Sequence, residues 1–194
     1  MLFLLFLSGA AAWPQYSGLR EVDVLDGNWL FGFNASKDFD AMEKGFDPKD
    51  VSLTEGALVP SSVDAMPPGV LGRRGVAFYR TSFEQKGHAR LQFMGCSFYC
   101  RVFVDGEEVG QHLAGGTLRG LRSGPSGGYV PFYLDLKPMK GRRELFVLAD
   151  NRFNRTTAPL HTGGDFWHYG GLVPERRPEC SFLHSSSFFI RYMI

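Results

Sequence analysis

The sequence has no excess of either charge. Its 194 residues include 21 lysines and arginines against 20 aspartates and glutamates, a formal net charge of +1. Proteins that bind nucleic acids or anionic membrane surfaces usually carry a basic patch or stripe. Because no long run of one charge occurs, we expect neither nucleic acid nor a membrane surface as a partner.

The sequence also lacks a hydrophobic run long enough to span a bilayer, which needs about 20 apolar residues. Residues 1–12 form a shorter apolar run that ends in small residues, with an A-x-A-like cleavage site near Ala12. This pattern predicts a secretory signal peptide and a secreted or lysosomal or vacuolar protein, although no Lys or Arg precedes the run. The alternative is a start that only imitates a signal. Two glycosylation acceptor sites, at Asn34 and Asn154, agree with export.

Cysteine is scarce, and no C-x-x-C spacing of the metal-binding kind is present. We therefore expect no metal site and no cofactor. Cys96 and Cys100 lie on one apolar run, and in a straight strand they would be about 13 Å apart. A disulfide needs Cα atoms within about 7 Å, so these two should not pair unless a bulge or turn folds the run. Cys180 could bridge to one of them, or all three could be free and buried.

Glycine and phenylalanine are abundant, with 24 and 18 residues. The rings occur in short runs bounded by Gly, Pro and Asp rather than at helical spacing, which favours an all-β fold. Residues 34–75 are polar and indicate a loop, with a helical turn around Phe39 to Lys44. About eight short strands with long connections predict a jelly-roll β-sandwich. The predicted strands lie near residues 28–33, 76–83, 89–93, 98–104, 107–110, 129–136, 143–150 and 188–194.

Asp105-Gly106 is the strongest local signal, because Asp-Gly between apolar runs is typical of a tight β-hairpin. The glycine-rich stretch 115–128 that follows is a loop longer than a compact β-domain usually needs. A turn is also predicted at Lys140-Gly141-Arg142-Arg143.

The segment GGDFWHYGGL, residues 163–172, places one carboxylate, Asp165, among aromatic rings. A core strand would avoid the acid, and a solvated loop would not concentrate Phe166, Trp167 and Tyr169. The segment is typical of a surface that contacts a ligand. The alternative is that Asp165 caps the turn through local hydrogen bonds to the backbone while the rings pack on the sandwich.

Eight sequence pieces occur in the order in which they stand in the N-terminal sugar-binding domain of glycoside hydrolase family 2. They are Leu25-Asp26-Gly27 with Trp29 and Phe31; Val59-Pro60-Ser61-Ser62; Gly75 with Tyr79-Arg80 and Phe83; Val102 with Val104-Asp105-Gly106; Gly110 with His112; Gly127-Gly128-Tyr129-Val130-Pro131-Phe132; Val147 to Asn151; and Asp165 with Tyr169, Gly170 or Gly171, and Leu172. The chain resembles this family over residues 13–194, and it is most similar to the β-glucuronidases.

The resemblance implies a jelly-roll domain that packs beside an immunoglobulin-like domain and a catalytic TIM barrel. It also implies that Asp165 reaches into the sugar pocket of the barrel and accepts hydrogen bonds from sugar hydroxyls, since an ionised carboxylate offers two acceptor oxygens. Phe166, Trp167 and Tyr169 could exclude water around it. We expect His112 to hold the hairpin against the glycine-rich loop, and Arg80 to form a structural ion pair or to cap carbonyl groups.

The chain departs from the family pattern at three points. Residues 117–128 are an expected insertion of about a dozen residues. Pro174 follows the turn where relatives continue a strand, and proline cannot donate a ladder hydrogen bond. Retaining hydrolysis needs two carboxylates about 5 to 5.5 Å apart. In the family these are barrel glutamates, one in an Asn-Glu pair that this sequence lacks. We therefore expect no catalytic residue and no hydrolysis by this chain alone.

Three hypotheses follow. The first is the N-terminal part of a secreted β-glucuronidase-like enzyme, with a β-glycoside such as a glucuronide as substrate. The others are a free-standing carbohydrate-binding module or lectin, and an interaction domain without sugar affinity. The sequence does not identify the sugar, because specificity in the family lies mainly on the barrel.

Overall fold

A computed structural model describes residues 20–66, 69–113, 131–153, 169–172 and 188–193. Within these ranges the chain forms ten β-strands and two short 3-10 helices, at Pro48–Asp50 and Val63–Ala65. The strands are β1 (Arg20–Val24), β2 (Gly27–Asn34), β3 (Glu55–Val59), β4 (Val76–Phe93), β5 (Cys96–Ser97), β6 (Tyr99–Val104), β7 (Glu107–Leu113), β8 (Phe132–Asp150), β9 (Gly171–Leu172) and β10 (Phe188–Met193). The predicted all-β class is confirmed.

Two long strands organise the sandwich. β4 and β8 pair antiparallel along their whole lengths, from Val76 opposite Asp150 to Phe93 opposite Phe132. Midway, the register shifts between Gly87 and Ala89, and Gly87 and Gly141 both have positive φ angles, +142° and +121°. Bulges and glycines of this kind bend a strand pair sharply. Each long strand therefore contributes to both layers of the sandwich.

The two halves of the long pair carry different neighbours. In the half that contains Val76 and Asp150, the strand order is β3-β2-β4-β8-β6-β7. In the half that contains Phe93 and Phe132, β10 and then β1 add beside β4. Strands that are distant in sequence are therefore neighbours in the sheet. Long connections join such strands, as is typical of a jelly roll.

One apolar core lies between the two halves. The alternating side chains of β4 point into it from both ends, Ala77 and Tyr79 from one half and Leu91 and Phe93 from the other. Because successive side chains of a strand point to opposite faces, this pattern shows that the bent sheet closes over a single interior.

A second apolar cluster covers the outer face of the six-stranded half. Phe78, Phe103 and Phe146 lie on that face, and Phe39 and Phe46 of the 35–54 segment pack over them. The segment is therefore an additional layer of the domain.

Two arginines of the sheet hold the 35–54 layer in place by donating hydrogen bonds to its carbonyl groups. Arg101 donates to the carbonyl oxygens of Ala41 (3.1 Å) and Glu43 (3.0 Å), and its guanidinium also pairs with Glu108 at 2.6 Å. Arg80 donates to the carbonyl of Pro48 at 2.7 Å and lies 3.7 Å from Glu144. The prediction that Arg80 caps carbonyls or forms a structural ion pair is confirmed.

The Asp105-Gly106 hairpin is also confirmed. Val104 lies opposite Glu107, and both turn residues have positive φ angles, +52° and +87°. These are the angles that a two-residue type I′ turn requires.

Several boundaries differ from the prediction. The strands predicted at 76–83 and 89–93 are one strand, and so are those at 129–136 and 143–150, within the described part of each. The predicted turn at residues 140–143 is therefore wrong. β3 lies inside the predicted loop 34–75. In place of a helical turn at Phe39 to Lys44 there is a hydrogen-bonded turn from Asp40 to Glu43, and the 3-10 helix comes later.

The described residues include no helix long and apolar enough to cross a membrane.

Candidate functional site

The predicted ligand-facing residues Asp165, Phe166 and Trp167 lie outside the described residues, as do Asn154, Cys180 and the 117–128 segment. Tyr169 is described, and its side chain is 42 % exposed. The structure therefore shows the base of the predicted site: the end of the turn, Tyr169–Leu172, and the residues that hold it.

Backbone hydrogen bonds fix this base to two neighbouring segments. Ser61 N–H donates to the carbonyl of Leu172, and Val63 N–H donates to the carbonyl of Gly170, both at 2.9 Å. On its other side, β9 pairs with β5, with Leu172 opposite Cys96. The end of the turn is thus a short strand held between the chain after β3 and the chain after β4.

Glycine is required at two positions of this base because neighbouring atoms approach the backbone closely. A Cβ at position 170 would overlap the side chain of Asn151. A Cβ at position 171 would lie 2.7 Å from the hydroxyl oxygen of Tyr79, and φ there is +98°. The glycine pair of the predicted turn therefore allows Asn151 and Tyr79 to pack directly beneath it.

Asn151 at the end of β8 links the base to a third segment. Its Oδ1 accepts a hydrogen bond from Gly75 N–H and its Nδ2 donates to the carbonyl of Arg73, both at 2.8 Å. Its own backbone N–H donates to the carbonyl of Gly75 at 3.1 Å. The side chain is completely buried, so both ends of the carboxamide serve protein groups rather than water.

Asp64 is hydrogen-bonded to the same segment, the chain around Arg73 that enters β4. It is 5 % exposed, and its Oδ1 accepts a hydrogen bond from Arg73 N–H at 3.1 Å. No local sequence pattern points to Asp64, and the strand pattern predicts Asn151 only as the end of a strand. The useful signal was indirect: an Asn that directly follows an apolar strand often satisfies backbone groups nearby.

Titratable groups beneath the base are held neutral. Burial raises the pKa of the Tyr79 hydroxyl well above its usual value, and the neighbouring Cys96 thiol raises it further. Burial also raises the pKa of Cys96, and a hydrogen bond with the Cys100 thiol adds to the effect. The buried Tyr79 hydroxyl and Cys96 thiol therefore contribute no charge to the floor of the site.

Aromatic and cationic side chains surround the rim. Phe153, 39 % exposed, stacks on the buried ring of Phe98 at 5.6 Å, and the Arg74 guanidinium lies 4.4 Å from its ring centroid. Arg152 pairs with Asp150 at 2.7 Å, and this hydrogen bond raises the pKa of Arg152. The ring of Phe153 thus lies between Phe98 and Arg74, and it remains partly exposed, as Tyr169 does.

His112 lies opposite Cys100 in the β6–β7 pair. Its ring stacks on Phe132 at 4.3 Å, and Phe132 in turn stacks on Phe93 at 4.7 Å. The stack links β7 to both long strands, so a packing role for His112 is shown. Its predicted contact with the glycine-rich loop lies outside the described residues.

The sequon at Asn34 ends β2. Its Oδ1 accepts a hydrogen bond from Ser36 N–H at 2.8 Å, which forms a local turn.

Across the described ranges, no group of three or more His, Cys, Asp or Glu side chains could hold a metal ion.

Four of the eight motifs converge at this end of the sandwich. The Val59–Ser62 motif leads to the hydrogen bond between Ser61 and Leu172. In the next motif, Tyr79 contacts Gly171 and Gly75 is hydrogen-bonded to Asn151, which lies against Gly170. The last motif ends in the base itself, Tyr169–Leu172. What these motifs share is the support of Tyr169–Leu172, the described end of the predicted turn.

No family profile matches the sequence. Among curated proteins, the chain is 22 % identical over 182 residues to a protein of Formosa agariphila that is provisionally named a β-glucuronidase. The match covers 89 % of this chain and 20 % of that protein.

Solved structures of glycoside hydrolases share the fold. A family 2 β-galacturonidase from Eisenbergiella tayi, bound to galacturonate, is 28 % identical with a TM-score of 0.61, covering 90 % of this chain and 24 % of that one. A β-glucuronidase from Ruminococcus gnavus in complex with D-glucuronic acid is 19 % identical with a TM-score of 0.63, covering 94 % of this chain and 31 % of that one.

The chain thus spans about a fifth to a third of the length of these relatives. The resemblance to glycoside hydrolase family 2, with β-glucuronidases among the most similar proteins, is confirmed.

Proposed function

We propose that this chain is the N-terminal sugar-binding domain of a family 2 glycoside hydrolase that acts on β-linked uronides. The observation that carries the proposal is the convergence of four family motifs on the turn that ends at Tyr169–Leu172. Hydrogen bonds from Ser61 and Val63 hold the backbone of that turn, and Asn151 and Tyr79 fill the space beneath it. Such a support fixes the base of the turn, and binding sites require side chains that are placed by rigid, well-packed elements.

In this proposal Asp165 contributes to binding and not to bond cleavage. Its carboxylate accepts hydrogen bonds from two hydroxyls of the sugar, and the exposed ring of Tyr169 helps to exclude water. The two carboxylates that cleave the glycosidic bond are supplied by a TIM barrel, beside which this domain and an immunoglobulin-like domain pack. Residues 13–194 are the sugar-binding domain, and residues 1–12 direct the protein to secretion or to a lysosomal or vacuolar compartment.

A uronide is proposed as substrate because two of the similar structures contain uronic acids, galacturonate in one and D-glucuronic acid in the other. The choice between glucuronide and galacturonide rests on the 4-hydroxyl configuration. A carboxylate acceptor such as Asp165 can distinguish the two sugars only if it contacts the 4-hydroxyl.

The transcript beyond Ile194 tests the domain assignment. We expect it to encode an immunoglobulin-like domain and a barrel with an Asn-Glu pair. An immediate stop codon, with no such sequence in any nearby frame, would contradict the assignment. The 194-residue chain itself is expected to release no p-nitrophenol from p-nitrophenyl β-D-glucuronide or β-D-galacturonide, and release by the purified chain would equally contradict it.

The alternative is a free-standing carbohydrate-binding module, which the exposure of Tyr169 beside the predicted acid favours. A glycan array on the isolated chain distinguishes the two functions. A module should retain saturable binding that is lost in Asp165→Ala, whereas half of a shared site should bind weakly or not at all.

A further inference from the structure

Two consecutive apolar side chains are exposed to water on the chain between β3 and β4. Val70 is 50 % exposed and Leu71 is 77 % exposed, so Leu71 is the most exposed large apolar side chain among the described residues. Single exposed apolar residues are common on protein surfaces, whereas contiguous exposed apolar groups mark interaction sites. The segment Gly69–Gly72 is called the apolar tip below.

Hydrogen bonds fix both ends of the apolar tip to the sandwich. Gly69 N–H donates to the carbonyl of Met66, a buried residue, at 2.7 Å. Arg73 N–H donates to the buried Asp64 carboxylate at 3.1 Å, and the carbonyl of Arg73 accepts from Asn151 Nδ2 at 2.8 Å. The two apolar side chains are therefore presented by a supported turn.

The backbone of the apolar tip bends at two glycines. Gly69 and Gly72 have φ angles of +75° and +74°, in the left-handed region that residues with a Cβ rarely adopt. Val70 and Leu71 thus lie between two sharp bends of the chain.

The apolar tip and the base Tyr169–Leu172 share a support. The carboxamide of Asn151 packs against Gly170 and holds the carbonyl of Arg73. A domain that contacts a sugar at the turn above this base must therefore lie beside the tip.

Two arginines place positive charge next to the apolar tip. The guanidinium of Arg73 lies 3.8 Å from the ring centroid of Phe33, and that of Arg74 lies 4.4 Å from the ring centroid of Phe153. Cation–π contacts of this kind hold long side chains in place. The surface around the tip is therefore apolar at its centre and cationic at one side.

We propose that the apolar tip docks into an apolar pocket of the catalytic domain, and that carboxylates at the rim of this pocket pair with Arg73 and Arg74. The inference rests on the proposed function, which requires a second domain at this end to supply the catalytic carboxylates. The relatives have the length for such a domain, since this chain spans about a fifth to a third of theirs.

Hydroxyl-radical footprinting measures the burial of the apolar tip residue by residue. The 194-residue chain is compared with the protein encoded by the complete reading frame, and trypsin releases residues 50–73 of each as one peptide. Oxidation of Val70 and Leu71 should be about 5-fold slower or more in the complete protein, because the core of an interface excludes water.

Leu71→Asp separates docking from folding. Because Leu71 is exposed in the chain, the Tm of the 194-residue variant should equal that of wild type. In the complete protein the new carboxylate would be buried in an apolar pocket, so docking should weaken and Val70 should regain the oxidation rate of the isolated chain. Met139→Asp, at a half-exposed position opposite Gly87, is the matched control and should leave Val70 protected. A lowered Tm of the isolated Leu71→Asp chain would show a structural role instead and overturn the proposal.

Other occupants of the apolar tip give different results. Protection of Leu71 that grows with the concentration of the isolated chain would assign the tip to a second copy. Sedimentation of the chain with phosphatidylglycerol vesicles, abolished by Leu71→Asp, would assign it to a membrane. Either result would overturn the proposal.

The same measurements separate this inference from the proposed function. A complete protein that hydrolyses p-nitrophenyl β-D-glucuronide or β-D-galacturonide, with Leu71 oxidised as fast as in the isolated chain, overturns the docking surface alone. A complete protein that protects Leu71 but hydrolyses neither uronide supports the docking surface and contradicts the proposed substrate. A reading frame that encodes no second domain overturns both.

Discussion

The side chain of Asn151 packs against the backbone of Gly170 so closely that residue 170 has no room for a Cβ atom. The same carboxamide bridges Gly75 and Arg73, 76 and 78 residues earlier in the sequence. One buried amide thus joins the end of β8, the chain that enters β4 and the base Tyr169–Leu172.

Replacing Asn151 by Asp should destabilise the chain by about 2 to 4 kcal/mol. The oxygen that accepts from Gly75 remains, but the donor to the Arg73 carbonyl is lost and a buried charge is added. Urea denaturation followed by tryptophan fluorescence measures the change. Asn28→Asp, at an exposed position of β2, is the matched control and should stay within about 0.5 kcal/mol of wild type. Equal effects of the two substitutions would contradict the role of Asn151.

Gly171→Ala should destabilise the chain by roughly 2 kcal/mol or more, because φ is +98° and the new Cβ would lie 2.7 Å from the Tyr79 hydroxyl. Gly56→Ala is the control, since its added Cβ meets no atom within 4 Å and its φ is not positive. Thermal unfolding should show a lowered Tm only for the first variant. Similar Tm values for both would mean that the base of the turn is not packed as described.

Arg101→Met should loosen the layer formed by residues 35–54. The guanidinium is 6 % exposed, and its loss leaves the carbonyls of Ala41 and Glu43 without their donor, at a cost of about 2 to 4 kcal/mol. Arg90→Met removes an exposed pair with Asp135 and should cost less than about 1 kcal/mol. Hydrogen exchange by mass spectrometry should show faster exchange in residues 35–54 for Arg101→Met alone. Unchanged exchange there would show that another contact holds the layer.

Tyr79 should make the stability of the chain sensitive to high pH. Burial raises the pKa of its hydroxyl above the ordinary value of about 10. The unfolded chain therefore loses this proton first, so the contribution is present below pH 10 and falls as the pH rises from there towards the folded pKa. Between pH 8 and 11, the free energy of unfolding of Tyr79→Phe should fall less steeply than that of wild type. A Tyr79→Phe curve that ran parallel to the wild-type curve over this range would exclude the linkage.

The sequence predicted those features that local chemistry determines. Asp105-Gly106 specifies its turn through backbone angles that few other pairs tolerate. The order of the motifs predicted the fold.

Features that depend on distant partners were missed. The stretches around Gly87 and Gly141 carry charged residues and glycine, the composition of a turn, yet they lie opposite each other in a bent strand pair. β3 has only Ala57 and Val59 pointing inward, too few for a periodic signal.

The central claim is that the turn supported by Asn151 and Tyr79 presents Asp165 to a sugar. Steady-state kinetics of Asp165→Asn in the enzyme encoded by the complete reading frame, with p-nitrophenyl β-D-glucuronide and β-D-galacturonide, test it most directly. Asp38→Asn, in an exposed loop, is the control. Loss of hydrogen bonds to a charged acceptor should lower kcat/KM by roughly 10- to 150-fold on the preferred substrate, with Tm unchanged. A kcat/KM equal to that of the control on both substrates would contradict the claim.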